Sequence, residues 1–176
     1  MTIDIQEIFQ GLPGLSSTSG RHLYEGCVVC LTRQNHNSTG TDLNVYGDTT
    51  INYNLTWDNI FDDQLDRTWA DQFYATEHGA VCLSILLALK LTNFTIIEKS
   101  ARKNGFDYWL GEKGDILFQK KARLEVSGIF NGSTKDVNAR YKIKVKQTQQ
   151  SDSLNLPAYI GIVEFRNPIA NFGSKK

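Results

Sequence analysis

The chain has 176 residues, 40% of them hydrophobic and 22% charged, with a formal net charge of zero. That length fits one domain and buries roughly 70% of its unfolded surface, so no metal or disulfide staple is required. The composition excludes a disordered chain, and the most apolar run, Val81–Leu91, is broken by Ser84 and Lys90, short of the ~20 residues of a spanning helix.

From the start of the chain, Met1–Glu7 has neither a basic region nor a long apolar run, so no signal peptide is expected. Cys27, Cys30 and Cys82 form no disulfide framework and suit a reducing, cytoplasmic setting. The sequons at Asn37, Asn54, Asn93 and Asn131 then carry no meaning. Residues 3–10 read as a short helix ended by Gly11–Gly14. Gly26–Arg33 reads as a strand, and Leu43–Tyr46 and Ile51–Trp57 as two more, so residues 1–57 are expected as a β-meander extension. Thiols three apart on a strand point to opposite faces, so Cys27 and Cys30 read as core packing rather than zinc ligands.

Residues 58–176 carry a different order. Thr68–Leu91 reads as a helix capped at Thr68, with Phe73, Ala80, Val81, Leu87 and Leu91 at helical spacing. Strands are expected over Phe94–Glu98, Gly105–Leu110 and Arg123–Ile129. Residues 134–150 give two signals: Tyr141, Ile143 and Val145 alternate with lysines, as in a strand, but Ser133 or Thr134 offers a cap and no breaker follows. Helix is the expectation, because parallel strands need a crossover. Tyr159–Phe165 reads as a final strand buried on both faces. The whole is an α/β (α+β) fold in one domain.

Charge is unevenly spread along this order. Residues 1–98 carry a net −8 and residues 99–147 a net +7. The basic stretch either attracts a polyanion or neutralises the acidic half across one surface. Asp107 falls in the second of the three strands and Glu125 in the third, two residues before Ser127. Glu77 falls in the preceding helix between Phe73 and Val81, on an apolar face where an unpaired carboxylate is costly; Arg102 or Lys144 is its candidate partner. Tyr108 and Trp109 read as packing residues, with base stacking as the alternative. No Gly-rich phosphate loop, GxSxG elbow or HExxH is present, and His78 has no second metal-type partner at helical spacing.

The layout Glu77 … Gly105-Phe106-Asp107 … Glu125-Val126-Ser127 resembles the PD-(D/E)xK, or restriction-endonuclease-like, nuclease superfamily over roughly residues 68–166. The resemblance implies an αβββαβ core with a mixed central sheet and metal-dependent hydrolysis of DNA phosphodiesters. It implies Asp107 and Glu125 as ligands of Mg²⁺ or Mn²⁺, with Glu77 supporting through water. Hard cations take such oxygen ligands and keep several waters. The sequence departs at Ser127, where the motif has lysine, and a hydroxyl cannot supply that positive charge. If residues 134–150 are helical, Arg140, Lys144 and Gln147 form one stripe that delivers Lys144 to the site or touches nucleic acid. If they form a strand, Lys142, Lys144 and Lys146 are a solvated face. The expected function is a nuclease, or a nuclease-fold subunit of a DNA-processing or defence system. A catalytically inactive member that binds DNA or a protein partner, or forms a homodimer, is the alternative. A protein-binding module built on the N-terminal β segment comes third.

Overall fold

In a computed structural model describing residues 1–175, one mixed eight-stranded sheet runs through the molecule. Its strands are β1 (Thr2–Asp4), β2 (Thr41–Gly47), β3 (Ile51–Thr56), β4 (Phe94–Lys99), β5 (Tyr108–Glu112), β6 (Ala122–Ile129), β7 (Ala158–Glu164) and β8 (Ile169–Ser174), in the order β1-β3-β2-β8-β7-β6-β5-β4. The helices are α1 (Ser17–Arg33), α2 (Asp63–Thr68), α3 (Gln72–Leu91) and α4 (Thr134–Thr148). Strands β4, β5 and β6 form antiparallel neighbours, β6 and β7 run parallel across the α4 crossover, and β8 turns back antiparallel on β7. The class is mixed α/β, and the succession helix, three strands, helix, strand follows the order read in the sequence.

From Gly79 to Ala88 helix α3 is almost wholly apolar and nearly every residue is buried, the mark of a helix segment covered on most sides. By length and composition it is able to cross a membrane, yet most of it is buried inside the protein. It packs on α1 and on β6, where Gly128 lets the strand approach closely. A Cβ at Gly128 would sit 2.4 Å from the Thr76 carbonyl oxygen. On the other face Val137 of α4 meets Ile160 and Ile162 of β7, all fully buried. Strand β7 is thus covered on both sides, as its unbroken apolar run requires.

Residues 134–150 resolve as helix because Ser133 and Asp136 make a reciprocal capping box. The Asp136 carboxylate accepts the Ser133 N–H at 2.8 Å, and the Ser133 hydroxyl accepts the Asp136 N–H at 3.4 Å. The other end of α4 is tied to β6 by Arg123, which is 3% exposed. Its guanidinium donates to the Thr148 carbonyl at 3.2 Å, the Ser151 hydroxyl at 2.6 Å and the Leu156 carbonyl at 2.6 Å. Arg123 and Glu125 are two apart on one strand and share a face, so this clamp also sets α4 over Glu125.

The N-terminal third departs from expectation. Residues 26–33 lie in α1, not in a strand, and the expected meander reduces to the β2–β3 hairpin. The Ser/Thr-rich run before them is the start of the helix: Ser16 accepts the Ser19 N–H at 3.2 Å. Leu23, Cys27 and Leu31 then recur at four-residue spacing and are buried. Cys27 and Cys30 are still core residues, but on a helix facing α3. The expected extension is also no appendage, because β2 pairs with β8. Helix α3 begins at Gln72 with Asp71 as its cap, accepting the Phe73 and Tyr74 N–H groups, while Thr68 ends α2. Strand β8 has no counterpart in the sequence reading. It follows a tight turn in which buried Glu164 accepts the Arg166, Asn167 and Gly132 N–H groups.

Candidate active site

Asp107 and Glu125 converge. Asp107 is not within a strand but immediately precedes β5. Its N–H donates to the Leu124 carbonyl and its Oδ2 accepts the Val126 N–H, both at 2.8 Å. That pair of bonds turns the carboxylate over β6, beside Glu125. Glu125 is 1% exposed, between the buried Leu124 and Val126. Its Oε1 accepts the Lys144 ammonium at 2.5 Å and the Gln147 amide at 2.9 Å. Its Oε2 is buried with no hydrogen-bond partner among the described residues, a costly condition for a carboxylate oxygen.

Burial raises the Glu125 carboxyl to about 7, and the Asp107 charge adds to the rise while Lys144 opposes it. The two carboxyl groups are close enough for a protonated Glu125 to donate to Asp107. Such crowding of like charges is relieved by a proton or by a cation. The ordinary carboxyl ionises near 4.5 and the folded one near 7, so between these values the folded chain keeps a proton that the unfolded chain has lost. The stability from Glu125 is therefore complete below about 4.5 and is lost as pH rises through about 7. Urea unfolding over that range is expected to show a decline in stability that Glu125→Gln flattens. An unchanged slope in the variant would place the titration elsewhere.

Helix α4 supplies the expected stripe. Lys144 reaches Glu125 and also donates to the Gln147 amide oxygen at 3.2 Å, so two of its three protons are engaged. Gln147 is occupied with Glu125 and Lys144. One turn earlier, Arg140 donates to the Ser127 hydroxyl at 2.8 Å. No carboxylate lies within 4.0 Å of Arg140 among the described residues. The position where the motif has lysine thus holds a hydroxyl that seats a guanidinium.

Asp107, Ser127, Arg140 and Lys144 line one cavity of about 330 Å³ with residues of α1, α3, β4 and β5, among them Leu23, Glu77, His78, Lys99 and Tyr108; Glu125 and Gln147 are not on its wall. Glu77 is exposed at its edge rather than on a buried apolar face, and it pairs with neither Arg102 nor Lys144. Glu77 lies on the open side of α3 with Phe73, which is 71% exposed, while Ala75, Thr76, Gly79 and Ala80 on the other side are buried. His78 lines the cavity and keeps its imidazole below the usual range, mainly through burial. Lys99 was the residue that sequence reasoning passed over. A β-bulge between Ile96 and Glu98 resets strand alternation just before it, and period-two counting gives no sign of that.

Asp107 and Glu125 offer the oxygen chemistry of a hard cation: one carboxylate from the segment before β5 and one from β6, with one buried oxygen lacking a partner among the described residues. Mg²⁺ commonly takes only one or two protein carboxylates and fills its other positions with water and substrate oxygens. Comparison with family models, curated proteins and solved structures finds no match to this chain.

Proposed function

We propose that this chain is a metal-dependent nuclease of the PD-(D/E)xK type, acting on DNA phosphodiesters. The observation that carries the reading is Glu125, with one oxygen on Lys144 and the other unpartnered beside Asp107. Asp107 and Glu125 would hold Mg²⁺ or Mn²⁺, which supplies a water of lowered pKa and neutralises charge at the phosphate. Lys144 keeps a free proton facing the cavity, ready to orient a nucleophilic water or steady developing charge. It takes the part of the motif lysine from α4 instead of from β6. Arg140, fixed by Ser127, presents the rest of its planar fork to a phosphate oxygen. Glu77 stands at the rim, within reach of the cation's water shell by this reading. The basic stretch supports an anionic substrate, since Lys99, Arg102 and Lys103 border the adjoining surface without ion-pair partners among the described residues. Buried free thiols are in keeping with a cytoplasmic setting.

A second reading, an inactive nuclease-fold binding subunit, is favoured by Ser127 and by a Lys144–Glu125 pair that already offsets much of the acid's charge. One experiment separates them. The purified chain is incubated with single-stranded and duplex DNA, with and without Mg²⁺, and binding is followed against salt. The nuclease reading expects Mg²⁺-dependent cleavage and affinity that falls steeply with salt, at a slope of about −0.9 per duplex phosphate contacted. Salt-dependent binding with no cleavage leaves the subunit reading. Neither binding nor cleavage removes both.

A further inference from the structure

Next to the cavity beside the acid pair lies a second trough of about 510 Å³, walled by the N-terminal unit on one side and by α3, β4 and β5 on the other. The two spaces share Leu23, His78, Lys99 and Tyr108, so they adjoin. The far wall exists because residues 12–15 are pressed onto β4 at its bulge. Gly14 donates its N–H to the Ile96 carbonyl at 2.9 Å, and a Cβ on Gly14 would lie 2.3 Å from the Ile97 carbonyl carbon. Only glycine permits that approach. The chain then turns into α1, whose first turns bring Thr18 and His22 to the trough.

The lining brings three kinds of group together. The Lys99 ammonium stands 5.6 Å from the centre of the Tyr108 ring. Leu15 and Leu23, each 6% exposed, make an apolar floor. The rim carries the Thr18 hydroxyl and the imidazoles of His22 and His78, 5.0 Å apart and backed by Trp69. A cation, an apolar bed and aromatic rings with donors and acceptors together complement the phosphate, sugar and base of one nucleotide. A base inside a duplex is stacked between its neighbours and cannot enter a side trough without leaving the helix.

Resting on the nuclease reading above, we infer that this trough seats the base and sugar of the nucleotide flanking the scissile phosphate, and that the substrate is single-stranded or locally unpaired nucleic acid. The N-terminal third is then part of the substrate site, with α1 as one of its walls.

The test uses the whole chain and a short fluorescently labelled DNA strand, alone or annealed, with binding measured by anisotropy in EDTA. The single strand is expected to bind more tightly than the duplex. Thr18→Trp, an exposed substitution that fills the trough, is expected to weaken single-strand binding by about tenfold, the loss of one well-seated base. Duplex binding and the thermal midpoint should not move. Abasic residues in the strand should cost the wild type a similar factor and cost Thr18→Trp little more. Equal affinity for both DNA forms, with Thr18→Trp without effect, overturns the inference. Adding Mg²⁺ separates the two claims. Trough-dependent binding with no hydrolysis overturns the nuclease reading alone, and hydrolysis indifferent to Thr18→Trp overturns the trough alone. No binding of either form overturns both.

Discussion

Asp107→Asn is expected to lower Mg²⁺-dependent cleavage by about a thousandfold or more, because a metal ligand supplies several kcal/mol of charge stabilisation in the transition state. The same change is expected to stabilise the fold. In the native chain Glu125 Oε2 is buried and has no donor, and the neighbouring carboxylate raises the cost of its charge. Asparagine keeps an oxygen for the Val126 N–H and brings an amide that donates to Glu125. One buried hydrogen bond gained is worth about 1 kcal/mol, or roughly 2–4 °C in melting temperature for a chain of this size. Activity is read from cleavage of a labelled strand and stability from thermal unfolding without metal. A variant that is less stable, or that still cuts, would show that Asp107 is a structural acid.

Lys144→Met carries the second large effect. Methionine keeps most of the apolar stem and removes only the charge, so packing on β6 is largely preserved. Loss of a preorganised cation at the developing charge costs about a hundred- to a thousandfold in turnover. Glu125 then has Gln147 as its one remaining donor, and its carboxyl rises further because Lys144 was holding it down. The variant should be nearly as stable as wild type at acid pH, where Glu125 is protonated, and lose stability as pH increases. Lys144→Arg restores the charge but not a compact ammonium, so it should recover stability better than turnover. If Lys144→Met cuts normally, the α4 lysine has no part in the chemistry, and Arg140 becomes the cation to test.

The C-terminal part of this arrangement was legible because its signals are local. A cap at Ser133, a three-plus-four spacing of Arg140, Lys144 and Gln147, and the run through Glu125 were enough to bring α4 to β6. Asp107 was found for a partly wrong reason: it lies before the strand, and its bonds to the β6 backbone, not strand alternation, aim it. Glu77 misled, because its apolar neighbours Phe73 and Val81 imply burial, whereas Phe73 is exposed and the buried side of that turn is formed by Ala75, Thr76, Gly79 and Ala80. Helix α1 was missed because Val28 and Val29 favour strand as isolated residues, while packing against α3 decides the matter. The trough was beyond reach, since it joins residues 14–22 to residues 78–108 through a close backbone approach that no periodicity records.

The bulge that steers Lys99 has a second consequence, for self-association. The sheet ends in two border strands, β1 and β4. The first offers three residues, too few to template another chain. The second is six residues long but is interrupted partway by the bulge, and it ends in Glu98 and Lys99. Short, kinked and charged borders resist strand-by-strand joining of one molecule to the next. Two copies of the chain that meet would therefore touch through helices or loops, leaving each sheet closed to the other.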